Sequence, residues 1–226
     1  MNTDDLIDRL ATDLRPVKPW RPGPKAAGWL TGAVLYVAVL ALVMPGRGGT
    51  GGAGLSFWLP QLAALATGVL AGVAAFASAV PAYPKHVLVW PAVAALLWLT
   101  TLAAGAPWET RAIVAAQHEW RCVSFILAGG APLVAASAAM LRGAAPLAPR
   151  VTAAFAALAV GALTNLGACL SLPHASHAVT LAWHGGAVLV LVAACAPAAR
   201  FVLGPTRSSP GAARASTDRS TPSRPR

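Results

Sequence analysis

The chain has 226 residues, of which 57% are hydrophobic and only 11% charged, and its mean hydropathy is +0.63. A soluble domain carries about 25% charged residues, so a water-facing globular enzyme is excluded, as is disorder over most of the length. A net charge of +10 would suggest nucleic acid in a soluble protein. Here the basic residues cluster at the two chain ends, where they report membrane topology and lipid contact, and no direct nucleic-acid partner is expected.

Residues 1–25 hold acids and prolines with no apolar run, so no cleavable signal peptide is expected and the first apolar stretch reads as a retained anchor. Within this segment Thr3 suits a helix N-cap, and Asp4 and Asp5 fall in the first turn, where the helix dipole favours anions. Leu6, Ile7, Leu10 and Leu14 follow helical spacing and form one apolar stripe. The helix must stop before Pro16. At about 12 residues it is marginal alone in water, so the stripe needs a partner. Four acids disfavour an anionic lipid surface. Packing on the protein's own bundle is one alternative, and docking in the groove of a second protein is the favoured one. The following prolines make a stiff linker, and Trp20 and Trp29 suit interfacial anchoring.

Six stretches are long and apolar enough to cross a bilayer: roughly 26–44, 58–80, 87–106, 122–141, 151–172 and 178–203. Breakers separate them: a Gly-rich loop after Pro45, the turn between Pro81 and Pro84, and Arg142 to Arg150 with two prolines. Backbone amides in lipid must bond internally, so the expected fold is all-α, a bundle of six transmembrane helices. Six crossings place both termini on one side. That side holds 14 Lys and Arg against 3 on the other, so both termini are expected in the cytoplasm. Abundant Ala and Gly suit close helix packing, although a compositional bias of the genome would produce the same abundance. Residues 204–226 lack apolar periodicity and read as a disordered basic tail. The chain therefore divides into 1–25, 26–203 and 204–226.

Cys122 and Cys169 lie 20 residues before and 19 residues after the loop from Arg142 to Arg150. At 1.5 Å per residue both are about 30 Å from that loop, hence at equal depth near the outer surface. His118, His174, His177, Trp183 and His184 accompany them in sequence. An ionisable group within a span is a functional candidate. Thiolates and imidazoles together bind soft or borderline metals, and paired thiols also make redox switches. The plainer alternatives are cysteines that serve as small apolar side chains and a His184 that bonds a backbone carbonyl across helices. Cys195 has no polar company in the sequence, and His118 and Glu119 read as loop surface. There is no Cys-x-x-Cys, no zinc-protease, hydrolase or phosphate-loop motif, and no acid within the spans. These absences weigh against a thiol oxidase and a proton-coupled pump. A small membrane transporter or metal exporter using the same Cys and His residues remains an alternative.

The opening Thr3-Asp4-Asp5-Leu6-Ile7 with Leu10-Ala11, Asp13-Leu14 and Pro16-Val17, together with Cys122, Cys169 and Trp183-His184, resembles the NrsF-type anti-sigma factors. The resemblance implies a six-span protein of the bacterial inner membrane that is not an enzyme and has no resident cofactor. It implies that the N-terminus, through Asp4, Asp5, Leu6, Ile7, Leu10 and Leu14, holds an extracytoplasmic-function sigma factor. It further implies that oxidative or heavy-metal stress acts on Cys122 and Cys169, with a metal ion as a transient ligand at most. Cys195, the Gly-rich first loop and the long basic tail depart from the pattern.

Overall fold

The computed structural model describes residues 3–12, 20–43, 54–81, 83–104, 120–171 and 177–203. Leu14, His118, Glu119, His174 and the basic tail lie outside the described residues. The described elements are α1 (Thr3–Thr12), α2 (Pro22–Val43), α3 (Leu55–Ala77), α4 (His86–Ala104), α5 (Trp120–Arg142), α6 (Pro149–Ser171) and α7 (His177–Val202). No strand occurs among the described residues. The six helices after α1 are each long and apolar enough to cross a membrane.

Several helices start before their apolar runs do. The second helix opens at Pro22 and continues through Pro24, because first-turn amides have no carbonyl to bond and proline's missing N–H costs nothing there. Pro149 opens α6 in the same way. Pro60, Pro91, Pro132 and Pro197 lie within helices. Packed neighbours can re-satisfy backbone groups freed by proline inside a membrane bundle.

The sixth helix is the hub, with α2, α3, α5 and α7 all packed against it. Its residues Ala157 and Ala159 to Asn165 are all buried, so it has no lipid-facing side over its middle turns. Small residues make this arrangement possible. A Cβ on Gly161 would sit 2.9 Å from Val188 Cγ1 and 3.3 Å from Val188 Cβ on α7. A Cβ on Gly167 would sit 2.7 Å from Val37 on α2 and 3.3 Å from the Phe125 ring on α5. The fourth helix is peripheral, packed mainly on α3.

Contacts between helix ends define one face of the bundle. Trp20, just before α2, stacks on Phe76 near the end of α3, with ring centroids 6.1 Å apart and planes within 10°. Ser78, capping α3, shares a 3.0 Å hydrogen bond with Thr152 in the first turn of α6. Arg142, ending α5, donates from Nε to the Val202 carbonyl at the end of α7 (3.0 Å). The start of α2 and the end of α7 therefore share what we call the terminal face. The opposite, distal face carries the start of α5, the end of α6 and the start of α7. One anchoring expectation is corrected. Trp29 is buried, wedged against Phe76 and close to Gly72, because the small Gly72 lets α2 approach α3 at that level. Trp20 is half-buried beneath Lys25, whose Nζ lies 5.2 Å from its ring.

The side chains of Leu6 and Leu10 are outside the described set. Asp4, Asp5 and Asp8 are exposed, and Ile7 is 57% exposed.

Gly161→Ala is expected to destabilise the detergent-solubilised protein by about 1–3 kcal/mol, because β-branched Val188 has no free rotamer to yield. Gly32→Ala, where an added Cβ meets nothing within 4 Å, is expected to be neutral or to stabilise by up to about 1 kcal/mol. Paired thermal-unfolding measurements check the contrast. In the α5–α6 turn Ala145 has φ 46°, in the left-handed region. Ala145→Gly should raise stability by about 1 kcal/mol in the same assay.

Candidate functional site

Inside hydrocarbon a polar side chain must find a partner or be excluded. On α6 and α7 this requirement brings three residues together. Asn165 lies six residues before the end of α6 and His184 seven residues into α7. At 1.5 Å per residue both are about 10 Å below the distal face. His184 Nδ1 and Asn165 Oδ1 are 2.7 Å apart. A carbonyl-type oxygen only accepts, so in this contact the Nδ1–H of His184 donates to Asn165. His184 thus bonds a side-chain amide across helices.

Cys169 completes the group from one turn further along α6. Its Sγ is 3.7 Å from His184 Nδ1 and 3.8 Å from Asn165 Oδ1. All three residues are buried, His184 completely. In the thiol form the S–H donates to Asn165 Oδ1, alongside the imidazole N–H. Once the sulfur loses its proton it accepts, and the imidazole N–H is already within reach of it. The pocket therefore suits either sulfur state, and a thiolate is the form that attacks oxidants or binds metal.

Cys122 is buried on α5, two residues from its start. Helix register gives its level. The approach of Gly130 to Val160 and of Phe125 to Gly167 sets α5 antiparallel to α6. Carried one turn further, this register puts Cys122 opposite the turn that holds Cys169. The equal-depth expectation and the register agree.

The other sequence candidates separate. Trp183 is 39% exposed on the outer side of α7, away from the buried Asn165. His177 opens α7, but its side chain is outside the described set. Cys195 is half-buried four turns from Cys169's level, on the terminal half of α7. Among the described residues no group of three or more His, Cys, Asp or Glu comes together. A soft ion would find one sulfur and one imidazole in the Cys169 group, a fitting but incomplete donor set.

Two residues escaped the sequence reading. Asn165 was hidden among small apolar neighbours, although an asparagine deep in a span is itself a signal. Gln61 on α3 is buried, and its Oε1 has no hydrogen-bond partner. The contacts of Ser78 with Thr152 and of Gly68 with Leu163 set the α3–α6 register. That register places Gln61 at the depth of Cys169.

A protein-family model described as NrsF, negative regulator of sigma F, matches residues 10–204. No curated protein and no solved structure matches the chain. The match spans all six long helices and includes Cys122, Asn165, Cys169 and His184, while Asp4 to Ile7 precede it. With most of its length so covered, this multi-pass helical chain belongs to the NrsF family, the negative regulators of sigma F.

Proposed function

We propose that the protein is an anti-sigma factor of the bacterial inner membrane that tethers an extracytoplasmic-function sigma factor by its N-terminal helix. It releases that factor when oxidative or heavy-metal stress reaches Cys122 and Cys169. The observation that carries this reading is the buried Cys169–His184–Asn165 group on the bundle face opposite the N-terminal segment. The charge distribution supports a cytoplasmic terminal face, and the distal face then meets the oxidising side of the envelope.

The exposed Ile7 and the stripe it belongs to suit a helix that docks in a partner's groove. Asp4, Asp5 and Asp8, exposed beside it, favour a basic rim on that groove. At the distal face the two sulfurs either give two electrons and two protons to an oxidant or exchange their protons for a soft metal ion. Asn165 acts as a positioning residue: it holds the His184 ring so that its N–H faces Cys169. The route to the effector runs down α6, across its close contact with α3, and through the Phe76–Trp20 stack to the segment bearing α1.

Deletion of residues 1–15, or Leu6→Asp with Leu10→Asp, is expected to abolish co-purification of the sigma factor from membranes while the bundle still folds. Sigma capture that survives both changes refutes the N-terminal site. A transporter would instead keep its flux in proteoliposomes without those residues. Cys122→Ser with Cys169→Ser should leave the sigma-dependent genes silent under cadmium or peroxide, read with a reporter. Asn165→Leu should slow alkylation of Cys169 by about tenfold at neutral pH, because the ring whose N–H faces the sulfur is no longer held. An unchanged rate would remove Asn165 from the site.

A further inference from the structure

On the terminal half of the bundle, α5, α6 and α7 leave an apolar groove of about 320 Å³. Its walls are mainly alanine: Ala131, Ala135 and Ala138 on α5, Ala153 and Ala156 on α6, and Ala198 on α7. The hydroxyl in the lining, Ser137, already bonds the Leu133 carbonyl at 2.7 Å. Besides that hydroxyl, the Cys195 thiol is the polar group of the side chains in the lining, so the groove is almost wholly apolar. On α5 it runs from Leu127 to Leu141, about 21 Å at 1.5 Å per residue. One leaflet of a bilayer is about 15 Å of hydrocarbon, so the groove begins at the terminal face and its α5 wall reaches several ångströms past mid-membrane.

The mouth of the groove is cationic. Leu141, Val202 and Leu203 line its end. Arg142 follows Leu141 and bridges to the Val202 carbonyl, which ties its guanidinium across the opening between α5 and α7. Arg150 lies in the facing first turn of α6, one turn before Ala153, and both arginines are exposed. Residues 120–203 contain no Asp, Glu or Lys, so no acid in these three helices offsets that charge.

We propose that this groove is a binding site for an anionic phospholipid of the leaflet at the terminal face. One acyl chain fills the alanine-lined trough, and the headgroup phosphate meets Arg142, with Arg150 beside it. Basic residues at the mouths of interhelical clefts are suited to such headgroups, and an arginine presents planar paired donors to phosphate oxygens. The occupant is not α1, whose exposed aspartates would have to enter hydrocarbon. Nor is it a second copy, since pairing through this groove brings two arginine rims together. The bound lipid would act as a wedge joining α5 to α7 on the half of the bundle nearest the N-terminal segment. The proposal does not depend on the identity of the sigma factor or on the cysteines.

Native mass spectrometry of the full chain, offered phosphatidylglycerol or phosphatidylcholine of matched acyl length, tests it. The unsubstituted protein should retain phosphatidylglycerol at least about fivefold better, the worth of one basic group near a phosphate layer. Arg142→Gln should bring that ratio close to one. Ala135→Trp should remove both adducts, and Ala198→Leu serves as the second filling variant. Both alanines are exposed, so the larger side chains enter the groove and not the core, and circular dichroism confirms the helical content of each. Equal retention of the two lipids, an Arg142→Gln protein with undiminished preference, or filled grooves that keep their lipid overturns the proposal. So does a dimer mass that disappears in the filled variants, which would assign the groove to a second copy.

Discussion

The absence of water from the bilayer core governs this molecule. Hydrophobic burial does not drive helices together there, because lipid tails are as apolar as leucine. Close packing and internal hydrogen bonds have to do so. Both are concentrated on α6, where Gly161 and Gly167 admit Val188 and Val37, Val160 and Leu163 press on Gly130 and Gly68, and Thr152, Thr164, Asn165 and Ser171 supply hydrogen bonds. Thr164 bonds back to its own helix at the Val160 carbonyl (2.8 Å), whereas Thr152 reaches Ser78, Ser171 reaches the Ala41 carbonyl on α2 and Asn165 reaches His184 on α7.

The same constraint explains why Cys169, His184 and Asn165 form a group. Histidine and asparagine buried alone in hydrocarbon would each be left with an unmet polar atom. Paired across α6 and α7 they satisfy each other and fix the rotation of two helices that approach closely at Gly161 and Val188. A thiol one turn away then inherits an ordered N–H. This member of the NrsF family thus has a polar anchor between two spans with a thiol beside it. The other end of the bundle is built differently, with aromatic stacking, a hydroxyl pair and an arginine tie holding the helix ends.

The six spans were legible in the sequence because each is a long apolar run bounded by proline, glycine or arginine. Their first turns were not. Pro22 and Pro149 look like breakers in a one-dimensional reading, yet a helix tolerates proline where its amides are unbonded. The equal depth of Cys122 and Cys169 followed from counting residues on either side of one turn. The partner of His184 did not follow, since whether an asparagine and a histidine 19 positions apart face each other depends on the rotation of each helix about its axis. Trp29 misled for a related reason. A tryptophan near the start of a span suits the membrane interface, but it turns inward where a glycine opposite leaves room.

Residue order alone determined the helical class of the protein, its six membrane-length spans, the shared bundle face on which the first span starts and the last one ends, and the matched level of Cys122 and Cys169 along their helices. These follow from hydropathy, from chain breakers and from the fixed rise of a helix. Tertiary structure decided which helix is enclosed, which side of α7 faces inward, and therefore that His184 and not Trp183 meets Cys169. It also decided that three alanine faces diverge into a groove. Hydropathy specifies how far along its axis a residue stands. The azimuth of each span is chosen only when the spans meet, by steric fit and by the pairing of the few polar atoms they carry.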